Sequence, residues 1–186
     1  MTRTVVGVVI ACIVLYFWGF LYWGMGPYKT QIWKHVRDDA AAGAALREQF
    51  PENGTYLVPG FANDDQKREE LSKKGPVAMV HMLAVGGMSG MDPSTFIYGF
   101  VLDLVVIVLI ALLLHQVGSA LPTYFDRIKF VTLVGLTAAI LIDGGDIAWW
   151  HISWQWKLYQ AFYSVSFWIL TGMILGWFVR PNTATR

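Results

Sequence analysis

Asp103, Asp143 and Asp146 stand within apolar stretches of the chain that carry few other charges. Ionisable side chains inside a membrane segment are energetically costly, and they usually mark ion pathways, proton relays or contacts between helices. Asp143 and Asp146 are spaced to share one face of a helix, and His151 follows about one and a half turns later. Carboxylates beside one imidazole suit a divalent cation or a proton relay.

Alternatively, these residues have a purely structural role and are polar groups that hydrogen-bond neighbouring helices to one another. A metal site is not predicted, because only one histidine belongs to this group of residues and no ligand pair such as an HExxH motif occurs. We expect a hydrated pocket formed by Asp103, Asp143, Asp146 and His151, with Tyr159, Gln160 and Tyr163 of the following helix as further candidates.

Haem is not predicted either. The chain has four histidines, His35, His81, His115 and His151. A bis-histidine haem in the membrane needs two imidazoles at one depth on facing helices. His115 and His151 fall at opposite ends of their apolar segments, and the other two lie outside such segments. We therefore expect no cofactor.

The composition is that of a membrane protein. Of the 186 residues, 55% are hydrophobic and 15% are charged, whereas soluble domains carry about 25% charged residues. The formal net charge of +1 argues against nucleic-acid binding, which needs a dense basic surface. A single cysteine, Cys12, excludes a disulfide framework and any CxxC motif.

Four segments are long and apolar enough to span a membrane, which takes about 20 apolar residues. They are 4–26, 96–115, 130–150 and 158–179. Each should be helical, because the bilayer core offers no water to hydrogen-bond the backbone. A charge-rich insert, 27–95, lies between the first two. We therefore expect an all-α membrane protein with a small α+β insert between its first and second helices.

The insert is predicted to contain a helix, a strand, a second helix and a second strand. The signals are Asp38 and Asp39 before an Ala-rich run, a strand at 55–58, a charged helix from Asn63 to Lys74, and a strand at 77–83. Its core is too small to be stable by itself. We therefore expect it to rest on the membrane, on its own helices or on a partner.

Basic residues in the short loops predict the orientation, because they concentrate on the cytoplasmic side. That side would hold Arg3, Arg127, Lys129, Arg180 and Arg186, and the short outer loop would hold only Lys157. We expect both termini inside and the insert outside, in the cytoplasmic membrane of a bacterium.

The first segment has some features of a signal sequence. It has a basic start at Arg3, but its apolar run is too long and lacks an A-x-A site. Residues 9–12, Val-Ile-Ala-Cys, resemble a bacterial lipoprotein cleavage box in which Cys12 would be lipidated. Further apolar residues follow, so we expect an uncleaved anchor with Cys12 as a packing residue.

Glycines at helical spacing predict close contacts between helices. Gly172 and Gly176 form a small-xxx-small pattern in the fourth segment, which suits packing inside the bundle or a dimer interface. Gly99, four residues before Asp103, would let a neighbouring helix approach at that level.

Several longer motifs carry a family resemblance. They are GTYLVPG with a downstream GP, RIKFVTLVGLTAA in the third helix, and WWHISWQW followed by WILTGMILGWF. Together they resemble a group of small four-helix bacterial integral membrane proteins with an outer GxYxxPG-type insert. The resemblance implies the four-span layout, no catalytic residues and no assigned activity.

Three functions remain open. The one we expect is a non-catalytic accessory or scaffold subunit of a larger bacterial membrane complex, respiratory or photosynthetic in type, and not an enzyme, because no catalytic motif occurs. The second is a small ion or proton transporter that uses Asp103, Asp143 and Asp146. The third is a metal-dependent membrane enzyme at the same cluster. The expected partners are membrane lipid and other membrane subunits; no nucleic acid is expected, and no substrate is indicated.

Overall fold

The computed structural model describes residues 2–26, 31–61, 64–90 and 92–179. The chain divides into two compact units, one of Met1–Lys34 with Pro93–Arg186 and one of His35–Asp92. Four helices in the described residues are long and apolar enough to cross a membrane, as expected for a multi-pass membrane protein.

The first membrane-length helix changes its geometry before it ends. α1 spans Thr2–Gly19 and continues as a π-helical segment, Phe20–Met25, which we call the first π segment. Gly26 follows with extended backbone. The helix therefore covers nearly all of the expected segment 4–26.

The unit of His35–Asp92 has the expected order of helix, strand, helix and strand. Its elements are α2 (Asp39–Gln49), β1 (Gly54–Val58), α3 (Asp65–Lys74) and β2 (Ala78–Met82). The two strands pair antiparallel, with Gly54 opposite Met82 and Val58 opposite Ala78. The prediction of a small α+β insert is confirmed for its secondary structure.

Carboxylates begin both helices of this unit. Asp38 accepts hydrogen bonds from the backbone N–H groups of Ala40 and Ala41, and Asp64 caps α3 in the same way. Such caps satisfy N–H groups that have no partner within the helix. Asn63, the expected start of the second helix, lies outside the described residues.

The remaining membrane-length helices start earlier than the hydropathy of the sequence suggests. α4 spans Pro93–Val117 and ends in a short 3-10 turn. The next helix runs without interruption through α5 (Tyr124–Ala139), a second π segment (Ile140–Gly144) and α6 (Gly145–Trp150).

The early start of α5 has a local cause. The side chain of Thr123 accepts a hydrogen bond from the Asp126 backbone N–H, and the Asp126 carboxylate accepts one from the Thr123 backbone N–H. This reciprocal capping box stabilises the first turn. It adds a polar turn ahead of the apolar segment expected at 130–150.

α7 spans Trp154–Phe178 and is the central helix of the bundle. It packs mainly on α5 and α1, and α1 in turn packs on α4. Leu15, Ile107, Val131 and Leu175 lie fully or almost fully buried between these helices.

Hydrogen bonds identify the two ends of the bundle. At one end, which we call the basic end, the Arg3 guanidinium donates to the Trp177 carbonyl over 3.0 Å. At the other, the aromatic end, Tyr22 and Tyr159 each donate a hydroxyl hydrogen bond to the other's backbone carbonyl. The start of α1 and the end of α7 therefore lie at the same end of the bundle.

Candidate functional site

The candidate site is centred on a buried lysine between two carboxylates. Lys157 Nζ lies 2.6 Å from Asp146 Oδ2 and 3.2 Å from Asp143 Oδ1. The side chains of Lys157, Asp143 and Asp146 are 8%, 12% and 29% exposed. We call these three residues the acid–lysine cluster.

The prediction that Lys157 lies in a loop is wrong. α7 begins at Trp154, whereas the apolar segment was expected to begin at 158. The four added residues place Lys157 in the first turn of the helix. From there its side chain reaches the neighbouring helix and not the solvent.

The members of the cluster stabilise one another. Two carboxylates satisfy two of the three ammonium donors, and removing one member of a buried ion pair typically costs about 3–5 kcal/mol. Two carboxylates against one ammonium give these three residues a formal net charge of −1. That remaining charge gives the cluster an attraction for a further cation.

An irregular stretch of helix presents both carboxylates. Asp143 lies in the second π segment and Asp146 in α6 directly after it. Gly144 and Gly145 separate them, and a Cβ at either glycine would meet nothing within 4 Å. Neither glycine is needed for close packing against the residues that the structure describes, so we infer that their low helix propensity favours the π-helical turn. Such turns frequently occur at functional sites.

A partly open cavity of about 340 Å³ lies beside the cluster. Asp143 and Lys157 form part of its wall. Both π segments contribute to it, the first through Trp23. The other lining residues are Ala138, Ala139, Ile142, Gln160, Tyr163, Ser164 and Trp168. The cavity thus has a charged side, a polar side along α7 and an aromatic side.

One side chain in the wall of this cavity has a polar atom without a hydrogen-bond partner among the described residues. The Oε1 atom of Gln160 is buried and has no hydrogen-bond partner among the described residues. Leaving a buried acceptor unsatisfied costs about 1–3 kcal/mol, so such atoms are rare. Gln160 itself lines the cavity.

Trp168 belongs to the aromatic side of the cavity and contacts α5. A Cβ built on Gly135 would overlap the Trp168 side chain. The glycine therefore provides the space into which the indole packs. This contact accounts for a tryptophan near the middle of a membrane-length helix, far from the ends where such rings usually lie.

Asp103 does not join the cluster. It lies on α4, four residues before the buried Ile107, and within electrostatic range of the Cys12 thiol and the Tyr163 hydroxyl. Among the described residues, no hydrogen bond or ion pair links it to Asp143. The reason is that α4 packs mainly on α1, whereas α5 packs on α7. The second and third membrane-length helices, α4 and α5, are therefore not main packing partners, although they follow one another in sequence.

His151 lies outside the cavity wall. It forms the turn between α6 and α7 with a left-handed φ of 53°, its side chain is exposed, and its backbone N–H donates to the Asp146 carbonyl. Of the other residues expected in the pocket, Gln160 and Tyr163 line the cavity. Tyr159 instead exchanges hydrogen bonds with Tyr22.

The expected packing glycines have different surroundings. A Cβ on Gly172 would lie 3.2 Å from Val131 Cβ, and one on Gly176 would lie 3.4 Å from Arg127 Cβ. Both therefore face α5 within the same chain. A Cβ on Gly99 would meet nothing within 4 Å, so this glycine has no close neighbour among the described residues.

Arg127 has a role that the sequence did not indicate. It is buried and donates to the backbone carbonyls of Leu121, Pro122, Gly176 and Val179 over 3.2, 3.0, 2.7 and 3.0 Å. The last carbonyls of a helix have no partner within it. The guanidinium satisfies those of α7, and its charge interacts favourably with that end of the helix dipole.

Within the described ranges, no group of three or more His, Cys, Asp or Glu side chains is placed to hold a metal ion. The Lys157 ammonium lies between the two nearest carboxylates. No protein-family model, curated protein or solved structure matches the chain. What the site does must therefore follow from its own chemistry.

Proposed function

We propose that the chain is a multi-pass protein of the bacterial cytoplasmic membrane that moves protons or a small cation. The observation that supports this is Lys157, buried between Asp143 and Asp146 at the charged side of a largely apolar cavity. Charged groups within membrane helices are expensive and usually line ion or proton pathways.

The charge of the cluster suits exchange of cations. One negative charge is left over when Lys157 is paired, so a proton or another cation is attracted to the carboxylates. Such a cation competes with the ammonium for Asp143, the member of the pair that lines the cavity. Binding and release can therefore be coupled to movement of the lysine side chain.

Tyr163 offers a connection from the cavity towards the bundle core. Its ring lines the cavity, and its hydroxyl lies within electrostatic range of Asp103. A phenol both donates and accepts hydrogen bonds, as a proton relay requires. In this proposal Asp103 is a second protonation site on the pathway.

The test is proton flux into liposomes that contain the purified protein and a trapped pH-sensitive dye. Asp143→Asn should lower the flux at least about tenfold, because the amide removes the charge that attracts the cation. The variant should still fold, since Lys157 keeps its shorter contact with Asp146.

Asp39→Asn is the matched control, because Asp39 is an exposed carboxylate on α2. It should leave the flux unchanged. Unaltered flux in a folded Asp143→Asn protein, or equal loss in both variants, would contradict the proposal.

A second candidate function is a non-catalytic accessory or scaffold subunit of a larger membrane complex, respiratory or photosynthetic in type. It is favoured by the unit of His35–Asp92, in which Pro59 is the one buried residue among those described. Phe61 and Leu83 are 74% and 70% exposed. A unit without a buried core exposes apolar surface that a partner can cover.

This candidate predicts that extraction in a mild detergent retains the chain in a particle larger than itself. Replacing both Phe61 and Leu83 by Ser should release it, because the apolar contact is lost. A matched pair of changes, Glu69→Ser and Lys73→Ser on α3, should not. Recovery of the unmodified chain as a monomer alone would count against the accessory function.

A further inference from the structure

We propose that the cavity beside the acid–lysine cluster binds a small organic ammonium ion, which takes the place of Lys157 at Asp143. The inference rests on the proposed function, since it names the class of cation that the site would accept. It follows from the hydrogen-bonding groups of the cavity, its walls and the two unequal contacts of Lys157.

The polar wall of the cavity is rich in acceptors. Gln160 lines the cavity and has a buried acceptor that no described residue satisfies, and Asp143 has a carboxylate that can accept several hydrogen bonds. Tyr163 and Ser164, which carry hydroxyl groups, also line the space. A ligand that complements these groups must donate, and a primary ammonium offers three donors with a positive charge.

The remaining wall distinguishes an organic cation from an inorganic one. Trp23, Tyr163 and Trp168 line the cavity, and aromatic faces attract cations most strongly once these have lost their water. Indoles supply no oxygen ligands to replace the hydration shell of a metal ion. They do supply apolar surface for the carbon skeleton of an amine.

The size of the cavity fits the same class of ligand. Its volume of about 340 Å³ lies at the lower end of the range of about 300–1,000 Å³ found for small-molecule sites. The cavity therefore suits a small amine.

The contacts of Lys157 allow the exchange without leaving a charge unpaired. Its 3.2 Å contact is with Asp143, which lines the cavity, and its 2.6 Å contact is with Asp146. An incoming ammonium can pair with Asp143 while Lys157 remains on Asp146. The lysine stem is flexible enough for this shift.

Calorimetric titration of the purified protein in detergent tests the inference with three probes of similar size. Benzylammonium carries the positive charge, benzyl alcohol is neutral and benzoate is negative. We expect saturable binding of benzylammonium and at least about tenfold weaker binding of the other two, as loss of a buried charge pair implies. Comparable binding of all three, stronger binding of benzoate, or no binding of benzylammonium would overturn it.

Variants test the positions of the contacts. Gln160→Leu should weaken benzylammonium binding severalfold, whereas Gln66→Leu on exposed α3 should not. Lys157→Met should strengthen it, because the competing ammonium is gone. Weaker binding to folded Lys157→Met would contradict displacement; if that variant does not fold, unchanged binding to Gln160→Leu would be the contradicting result.

The binding experiment is independent of flux. Proton flux that depends on Asp143, without benzylammonium binding, would support the proposed function and overturn this inference. Benzylammonium binding without flux would support the inference and count against transport.

Discussion

Lys157 changes the chemistry of the two aspartates that it contacts. Taken alone, Asp143 and Asp146 could hold a divalent cation, but the ammonium lies between them and neutralises one of the two charges. The sequence showed the carboxylates because they interrupt apolar runs. It did not show their partner, since Lys157 stands near a helix start, where boundaries are least certain.

Arg127 is the second buried cation. Its contribution to the stability of the protein can be measured directly. Arg127→Leu removes the donors to carbonyls at the end of α7, so we expect it to lower the free energy of unfolding by about 3 kcal/mol or more. The measurement is denaturant-induced unfolding in detergent micelles. Lys129→Leu is the control, because Lys129 is exposed and its loss should change little. Similar stability in both variants would show that the guanidinium contacts contribute nothing.

At the scale of elements, the two π segments have the clearest relation to the site. Phe20–Met25 supplies Trp23 to the cavity, and Ile140–Gly144 supplies Asp143. Hydropathy predicted the helices that contain them, because apolar length is a property of the local sequence. The π-helical turns were not predicted. A glycine pair lowers helix propensity, but which irregular geometry replaces the α-helix depends on what packs beside it.

Helix packing was predictable only in part. The glycine pattern on α7 indicated close packing, and Gly172 and Gly176 face α5 in the structure. The same reasoning placed a neighbour at Gly99, where the described residues provide none. Small residues permit a close approach, but the approaching helix is selected by side chains elsewhere on both surfaces.

For the whole molecule, we propose that the basic end faces the cytoplasm and that the unit of His35–Asp92 lies outside. Arg3 and Arg127 share that end through their contacts with the end of α7, and basic residues are enriched on the cytoplasmic side. Arg180 and Arg186, which also entered the sequence prediction, lie outside the described residues.

This orientation predicts which positions a membrane-impermeant maleimide can label in intact spheroplasts. Ser72→Cys on α3 should be labelled, because Ser72 is exposed in the unit proposed to lie outside. Lys129→Cys at the basic end should be labelled only after the membrane is permeabilised. The unmodified chain is the control, since Cys12 is buried. Labelling of Lys129→Cys but not of Ser72→Cys in intact spheroplasts would indicate the opposite orientation.

The sequence by itself determined the membrane class, the four apolar helices and the order of elements in the insert, because hydropathy, turn residues and caps act within a few neighbouring residues. Of the residues it predicted for a hydrated pocket, Asp143, Gln160 and Tyr163 line the cavity, and Asp103, Asp146, His151 and Tyr159 do not. Only the tertiary structure decided that Lys157 completes the cluster, that Asp103 lies apart from it, and that Arg127 caps α7. Each of these depends on which helices pack together, and that choice is made by side chains far apart in the sequence.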